Sequence, residues 1–310
     1  MSRQMENVTA VTEFILTGLS DLPAIRFPLF VVFLLIYLVT LLGNGAILLA
    51  IATNSQLHNP MYFFLSNLSL LDIFCSTVTV PKMLENLLTE NSSISFTGCV
   101  LQLYFLVALA GTEVFLLVVM AYDRYVAICN PLRYIVIMNK QLCLQMASGT
   151  WVTGILNSLL HTVMTFTLPY CQLNKVNQYY CDIPPVLAIS CASTYAAEMV
   201  VLIFGGIFGV GTFLVTLISY VHIISSILRI HSAEGKRKAF STCASHLIVV
   251  CLFYGTMIFT YARPSSSRHP DQDRLVSMLY GVITPMLNPL IYSLRNKEVK
   301  GALRRLMNPK

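Results

Sequence analysis

Seven long apolar runs follow one another along this chain, at about 27–51, 60–80, 98–120, 142–164, 197–223, 239–261 and 272–293. Each approaches the roughly 20 apolar residues that carry a helix across the hydrocarbon core of a bilayer. The fifth run is rich in glycine (Gly205, Gly206, Gly209, Gly211), which membrane helices tolerate better than soluble ones. Pro285 and Pro289 interrupt the seventh. The pattern predicts an all-α membrane protein, a seven-helix transmembrane bundle with short loops. One domain is expected, residues 27–293, between a short tail at 1–26 and a second tail at 294–310. Residues 294–306 alternate apolar and basic positions and predict a short amphipathic helix on the inner leaflet. Residues 1–25 carry acids and no leading basic stretch, so no cleavable signal is expected and the first span would serve as the signal.

Composition narrows the class further. Of 310 residues, 56% are hydrophobic and only 11% are charged. A soluble domain carries about 25% charged residues, so this chain lacks the polar surface that water requires. Its basic residues report topology before they report any nucleic acid. With the N-terminus outside, inner segments hold 13 of the 20 Lys and Arg, from Arg124 and Arg133 to Lys310. The acids run the other way: Asp123, Glu234 and Glu298 inside, nine outside, and Asp72 and Glu113 within spans. This bias predicts N-out, C-in.

Nine cysteines divide by side. Cys75, Cys129, Cys143, Cys243 and Cys251 fall in spans or at their inner ends, where thiols are usually inert. Cys99, Cys171, Cys181 and Cys191 fall outside, where disulfides form. Four cysteines permit three pairings, and spacing does not choose among them. A bridge from Cys99 would hold the long 165–196 connection over the bundle mouth. No second His or Cys cluster has zinc-ligand spacing. Asn7-Val8-Thr9 and Asn91-Ser92-Ser93 are outer glycosylation sequons; Asn7 is the expected acceptor, and Asn91 sits close to the membrane. Asn67-Leu68-Ser69 also matches, but it lies inside the second span.

The most informative chemistry is MAYDRYVAIC at 120–129, where Asp123 and Arg124 sit side by side as an apolar run ends. An ionisable pair beside a span marks function by default; its bland alternative is a helix end anchored at the headgroups. NPLRY continues this run at 130–134. Further motifs are Gly43-Asn44, LHNPMYFFLSNLS at 57–69 leading to Asp72, Ser219-Tyr220, KAFSTCASHL at 238–247 and PMLNPLIYSLRN at 285–296. Together, from about Phe14 to Arg305, these resemble the odorant (olfactory) receptors, a branch of the rhodopsin-like (class A) G-protein-coupled receptors. Asp-Arg-Tyr alone is a weak signal; the ordered set is very specific. Span six has Phe253-Tyr254-Gly255 where most rhodopsin-like relatives carry a Trp and a Pro, and the single Trp is Trp151 in span four. Residues 272–293 contain no lysine, which excludes an opsin-like Schiff base.

The resemblance implies a multi-pass plasma-membrane receptor, not an enzyme, with no cofactor. Its partners would be a small volatile ligand and a heterotrimeric G protein of the stimulatory olfactory type, which raises cyclic AMP. A chemosensor outside olfaction is the near alternative. A transporter or channel is the distant one, since no internal repeat is present. The resemblance also pairs Cys99 with Cys181 and Cys171 with Cys191. It makes Asp123, Arg124, Tyr125, Tyr220, His246, Asn288, Pro289 and Tyr292 an activation switch, with Arg124 paired to Asp123 and held by the inner end of span six until that span swings out.

Asp72 and Glu113, with Asn44, Asn288 and Ser69 as further donors of oxygens or amides, form a candidate sodium or proton site, because two like charges cannot both ionise cheaply. Its bland alternative is a hydrogen-bonded pair without an ion. Beyond that candidate sodium, no metal is expected. The ligand pocket should lie in the outer half of the bundle. The resemblance points to Leu106, Val107, Ala110, Gly111, Ile183, Val201, Phe204, Phe208, Tyr254, Met257, Ile258, Tyr261 and Met278. That lining is apolar and aromatic with two phenols, so it suits a small, neutral, fairly apolar volatile whose one oxygen meets Tyr254 or Tyr261.

Overall fold

The computed structural model describes residues 11–19, 23–89, 92–171, 174–261, 270–295 and 297–307. The long helices are α1 (Pro23–Thr53), α2 (Pro60–Leu88), α3 (Phe96–Cys129), α4 (Lys140–Phe166), α5 (Tyr195–Arg229) and α6 (Ala233–Tyr261). α7 runs through Pro270–Met278, a π-helical stretch Leu279–Ile283 and Thr284–Arg295, and α8 is Lys297–Met307. Together α1 to α7 form a seven-helix bundle. The helices outrun their apolar segments because turns continue past the hydrocarbon, where caps take over the open backbone donors. Asn59 caps α2 ahead of Pro60 by accepting from the Tyr62 N–H, Ser95 caps α3, and Asn139 caps α4. α3 is the central helix: 61% of its apolar stretch is buried in the bundle, against 11% for α1 and α5. The large apolar side chains that α1 and α5 leave exposed, among them Leu42 and Ile207, suit a hydrocarbon solvent.

Among the described residues, six helices are long and apolar enough to cross a membrane. α4 is long enough but more polar. Thr150, Ser158, His161, Thr162 and Thr165 are all buried on it. These polar positions are sheltered because α4 packs hard against α3. A Cβ built on Gly154 would stand 2.3 Å from Thr112 Oγ1 and 2.6 Å from the Ala108 carbonyl oxygen. Opposite, a Cβ on Gly111 would stand 3.2 Å from the Gly154 Cα. Two glycines therefore bring the two backbones together, as small residues do in membranes.

One end of the bundle carries a small sheet that the all-α expectation did not include. β1 (Glu13–Leu16) pairs antiparallel with β2 (Ser93–Ser95) and parallel with β3 (Lys175–Val176), in the order β2-β1-β3. Phe14 and Leu16 are buried while Glu13 and Ile15 face out, the period of a strand. Phe14 meets Tyr170 edge-on at 5.5 Å and stacks on Phe96 at 5.8 Å. Part of the expected tail is thus structural. Cys99 is bonded to Cys181 and Cys171 to Cys191, and the Cys181 N–H donates to Gln102 Oε1 at 2.9 Å. The 165–196 connection is sewn down over α3 and includes a short helix, Ile183–Leu187, capped by Asp182.

At the other end, α8 buries Val299 and Ala302 and exposes Lys300, Arg304 and Arg305. It starts three residues later than the 294–306 alternation suggests. Tyr62 Oη donates to Glu298 Oε2 at 2.8 Å and ties α8 to α2. Asn7 and Asn91 lie outside the described residues. The Asn67 amide is committed inside the bundle, donating to the Phe63 carbonyl and accepting from Trp151 Nε1 at 3.2 Å.

Gly154→Val should remove most of the folded receptor from the cell surface, since overpacking costs about 1–3 kcal/mol and here the neighbours are backbone. Gly149→Ala, whose added Cβ meets nothing within 4 Å, should leave surface staining at the wild-type level. Normal staining of Gly154→Val would show that the α3–α4 contact can open.

Candidate functional site

A cavity of about 250 Å³ lies among α3, α4, α5 and α6. α3 lines it with Val107, Ala110, Gly111, Val114 and Phe115. From α5 come Val201, Phe204 and Phe208, with Gly205, Gly206 and Gly209 giving width. Phe253, Tyr254, Met257 and Ile258 stand on α6, and Ile183 of the loop helix reaches in. Aromatic edges frame it: Phe115 on Phe208 and Phe213 on Tyr254, each with ring centroids 5.4 Å apart. Along α3, Ala110 is roughly 16 Å from Cys99 and 21 Å from Arg124 at 1.5 Å per residue. The cavity therefore belongs to the disulfide half of the bundle.

A narrower cavity of about 20 Å³ adjoins it, sharing Val107, Ala110 and Met257 and adding Leu106, Tyr180, Asp182, Ser277 and Tyr280. Asp182 brings a carboxylate near a lining that the sequence suggested was free of charge. Met278 packs into the main core instead. The Tyr261 side chain lies outside the described residues. Asn157 and His161 of α4 also line the larger cavity. The reading of spans three, five, six and seven missed them; two polar residues one turn apart in the most polar long span were the available signal.

Below the cavities is a belt of buried polar groups. Asn288 Nδ2 donates to both oxygens of Asp72, at 2.9 and 3.1 Å. Asn44 Nδ2 donates to the Thr40 and Pro285 carbonyls at 3.1 and 3.0 Å, joining α1 to α7. Tyr280 Oη donates to Glu113 Oε2 at 3.4 Å, while Glu113 Oε1 has no hydrogen-bond partner among the described residues. Asp72 and Glu113 stand within electrostatic reach of each other. Among the described residues, no group of three His, Cys, Asp or Glu could hold a metal ion.

The far end holds the charged pair. Arg124 Nη2 lies 3.1 Å from Asp123 Oδ2, and both side chains are buried. Tyr134 Oη donates to Asp123 Oδ1 at 2.7 Å. Burial and the Asp123 carboxylate push the Tyr134 phenol up, so it keeps its proton and keeps donating. Arg124 Nη1 donates to Met61 Sδ of α2. The resemblance placed span six against Arg124; its hydrogen-bonding partners among the described residues are Asp123 and Met61. His246 of α6 is engaged elsewhere, with Nδ1 2.6 Å from Tyr220 Oη and the rings stacked. Tyr125 sits edge-on to His222, and Tyr292 is buried with no hydroxyl partner among the described residues. Pro289 lies under Gly43, where a Cβ would be 3.1 Å from Pro289 Cγ. Guanidinium has five donors, more than one carboxylate can take, which accounts for the thioether contact.

A seven-helix bundle with a cavity at one end and an Asp-Arg-Tyr triplet with its charged pair buried at the other defines a rhodopsin-like, G-protein-coupled receptor. The family model described as olfactory receptor matches residues 33–310. The chain is 51% identical over 305 residues to olfactory receptor 5B21 of Homo sapiens, covering 98% of each. It is 51% identical over 304 residues to olfactory receptor 8U9 of Mus musculus, covering 98% of this chain and 97% of that receptor. The chain belongs to the olfactory receptor family. It is accordingly a multi-pass plasma-membrane receptor for small ligands, coupled to a G protein, and not an enzyme.

Asn288→Leu would leave the Asp72 carboxylate without its donors. A buried polar group stripped of its partner costs about 1–3 kcal/mol, more when charged. The purified receptor should melt several degrees lower, and Asp72→Leu in the same background should recover part of the loss. Additive losses in a thermal-shift cycle would show that the two residues are not coupled.

Proposed function

We propose that the receptor faces N-terminus out and binds a small, neutral, largely apolar volatile in the cavity between α3, α5 and α6. Ligand binding then shifts a two-state bundle toward a form that engages a stimulatory olfactory-type G protein and raises cyclic AMP. The observation that carries this reading is the apolar cavity in the disulfide half, with the Asp123–Arg124 pair at the opposite end of α3. Orientation is supported by the excess of Lys and Arg on the Arg124 side. In the resting form Asp123 and Met61 occupy Arg124, and Tyr134 fixes Asp123. Activation frees the guanidinium, and Tyr220, Tyr125, His246, Asn288, Pro289 and Tyr292 rearrange around it. The pocket comprises Leu106, Val107, Ala110, Gly111, Ile183, Val201, Phe204, Phe208, Tyr254, Met257 and Ile258. Asn44, Asp72, Glu113 and Asn288 share a proton or hold a sodium ion in the resting bundle, and Asn7 carries the glycan.

Cells expressing the receptor with that G protein should accumulate cyclic AMP on exposure to an active volatile. Arg124→Ala, at equal surface level, should abolish the response, and Phe204→Ala should raise the half-maximal concentration about ten-fold. A ligand-driven current without any G protein would instead place the protein among channels. Replacing external sodium with choline should change the wild-type response and leave Glu113→Gln unaffected; a wild type indifferent to sodium would rule out the ion.

A further inference from the structure

We infer that Asn157 and His161 on α4 form a hydroxyl-recognition site in the cavity wall, and that the ligand is a small volatile alcohol held by its O–H between them. This rests on the cavity being the ligand site and adds the ligand's chemical class.

The placement follows from the α3–α4 contact. Gly154, Asn157 and His161 share one face of α4, at i, i+3 and i+7. Gly154 is pressed onto the α3 backbone, so the same face one and two turns on looks at α3 and the cavity beside it. Asn157 Nδ2 lies 3.8 Å from where a Cβ on Gly111 would stand. His161 is 5% exposed, and its ring meets Phe204 edge-on with centroids 6.4 Å apart. Ser158, between them, is already satisfied, donating to the Tyr104 carbonyl. Asn157 Oδ1 and His161 Nδ1 are buried and have no hydrogen-bond partner among the described residues. Native interiors leave few such groups, and each calls for an explanation.

The two atoms specify what would answer them. A carboxamide oxygen only accepts, and an imidazole nitrogen donates or accepts with its tautomer. Side chains one turn apart have Cβ atoms about 5–6 Å from each other, within reach of one bridging atom. A hydroxyl donates to Asn157 Oδ1 and pairs with His161 through the same oxygen. A ketone or ester has no hydrogen for Asn157, and an ether or alkane leaves it stranded. A carboxylate would meet the Asn157 oxygen with no cation among the described lining residues. An ammonium would look to Asp182, but that carboxylate lines the adjoining cavity and caps the loop helix through the Ile183 N–H at 2.8 Å.

The test is a dose–response panel of straight-chain alcohols from butanol to decanol, with methyl ethers, methyl ketones and amines of matched length. On wild type the best alcohol should be at least about ten-fold more potent than its ether. Asn157→Leu and His161→Phe should each erase that preference by weakening the alcohol while leaving the ether's potency unchanged. His161→Gln, which still donates and accepts, should retain it. Equal potency of alcohol and ether on wild type overturns the assignment whether or not any variant folds. So does a preference for ketones or amines, or an alcohol preference lost only in Tyr254→Phe. These outcomes leave the odorant-receptor reading intact. A wild type silent to every volatile counts against both.

Discussion

The contact between Gly154 and the backbone of α3 fixes the geometry on which everything else depends. In a bilayer the tails around a helix are as apolar as its neighbours, so burial of apolar surface does not drive helices together. Close backbone approach and side-chain hydrogen bonds do. Here Gly154 lets α4 sit against Ala108 and Thr112, Ser158 bonds the Tyr104 carbonyl, and Trp151 reaches Asn67 on α2. Once α4 is seated, α3 becomes the rod along which the other sites are spaced. Cys99 is at one end, the cavity residues follow, then Glu113, and Arg124 is at the other end.

From the cavity, a series of aromatic and polar contacts runs along α7 toward the Arg124 end. Phe253 lines the larger cavity, and its ring meets Tyr280 edge-on at 5.7 Å. Tyr280 lines the smaller cavity and donates to Glu113. It lies in the π-helical stretch of α7, a local departure from α-geometry of the kind that accompanies functional sites. Asn288, two turns further along α7, holds Asp72, and Tyr292 lies one turn beyond that. On the proposed reading, a ligand that moved Phe253 or Tyr280 would change the partners of a buried carboxylate, which is the differential interaction that a population shift needs.

Much of this was legible in the sequence, for reasons that differ by element. Runs of about 20 apolar residues have one stable form in a bilayer, so the spans could be read directly. The amphipathic tail was visible because its period is local. β1 was not: four residues alternate too briefly to register, and their partners lie in Ser93–Ser95 and Lys175–Val176, far along the chain. The family resemblance brought residues of α3, α5 and α6 to one cavity but could not set helix rotation. Ser277 lines the smaller cavity, whereas Met278, about 100° further around α7, packs into the core. The thioether on Arg124 was hidden because Met61 belongs to a run whose apolar character reads as packing.

The polar face of α4 shows how the same residues serve both fold and recognition. A polar side chain in a span is expensive unless it faces the bundle and finds a partner. Thr150, Ser158 and Thr165 find backbone carbonyls, on α4 itself or on α3, and so settle the helix without reaching any ligand. Thr162 Oγ1 also lacks a partner among the described residues, but Thr162 is not among those that line the cavity. Among the polar residues of α4, Asn157 and His161 combine both properties, as Tyr254 does on α6: they border the cavity, and each keeps an atom with no partner among the described residues. A receptor tuned only for stability would fill those two positions with apolar side chains. On the proposed reading, keeping them polar would trade some stability for discrimination, because an analogue without the matching hydroxyl would leave both groups unanswered.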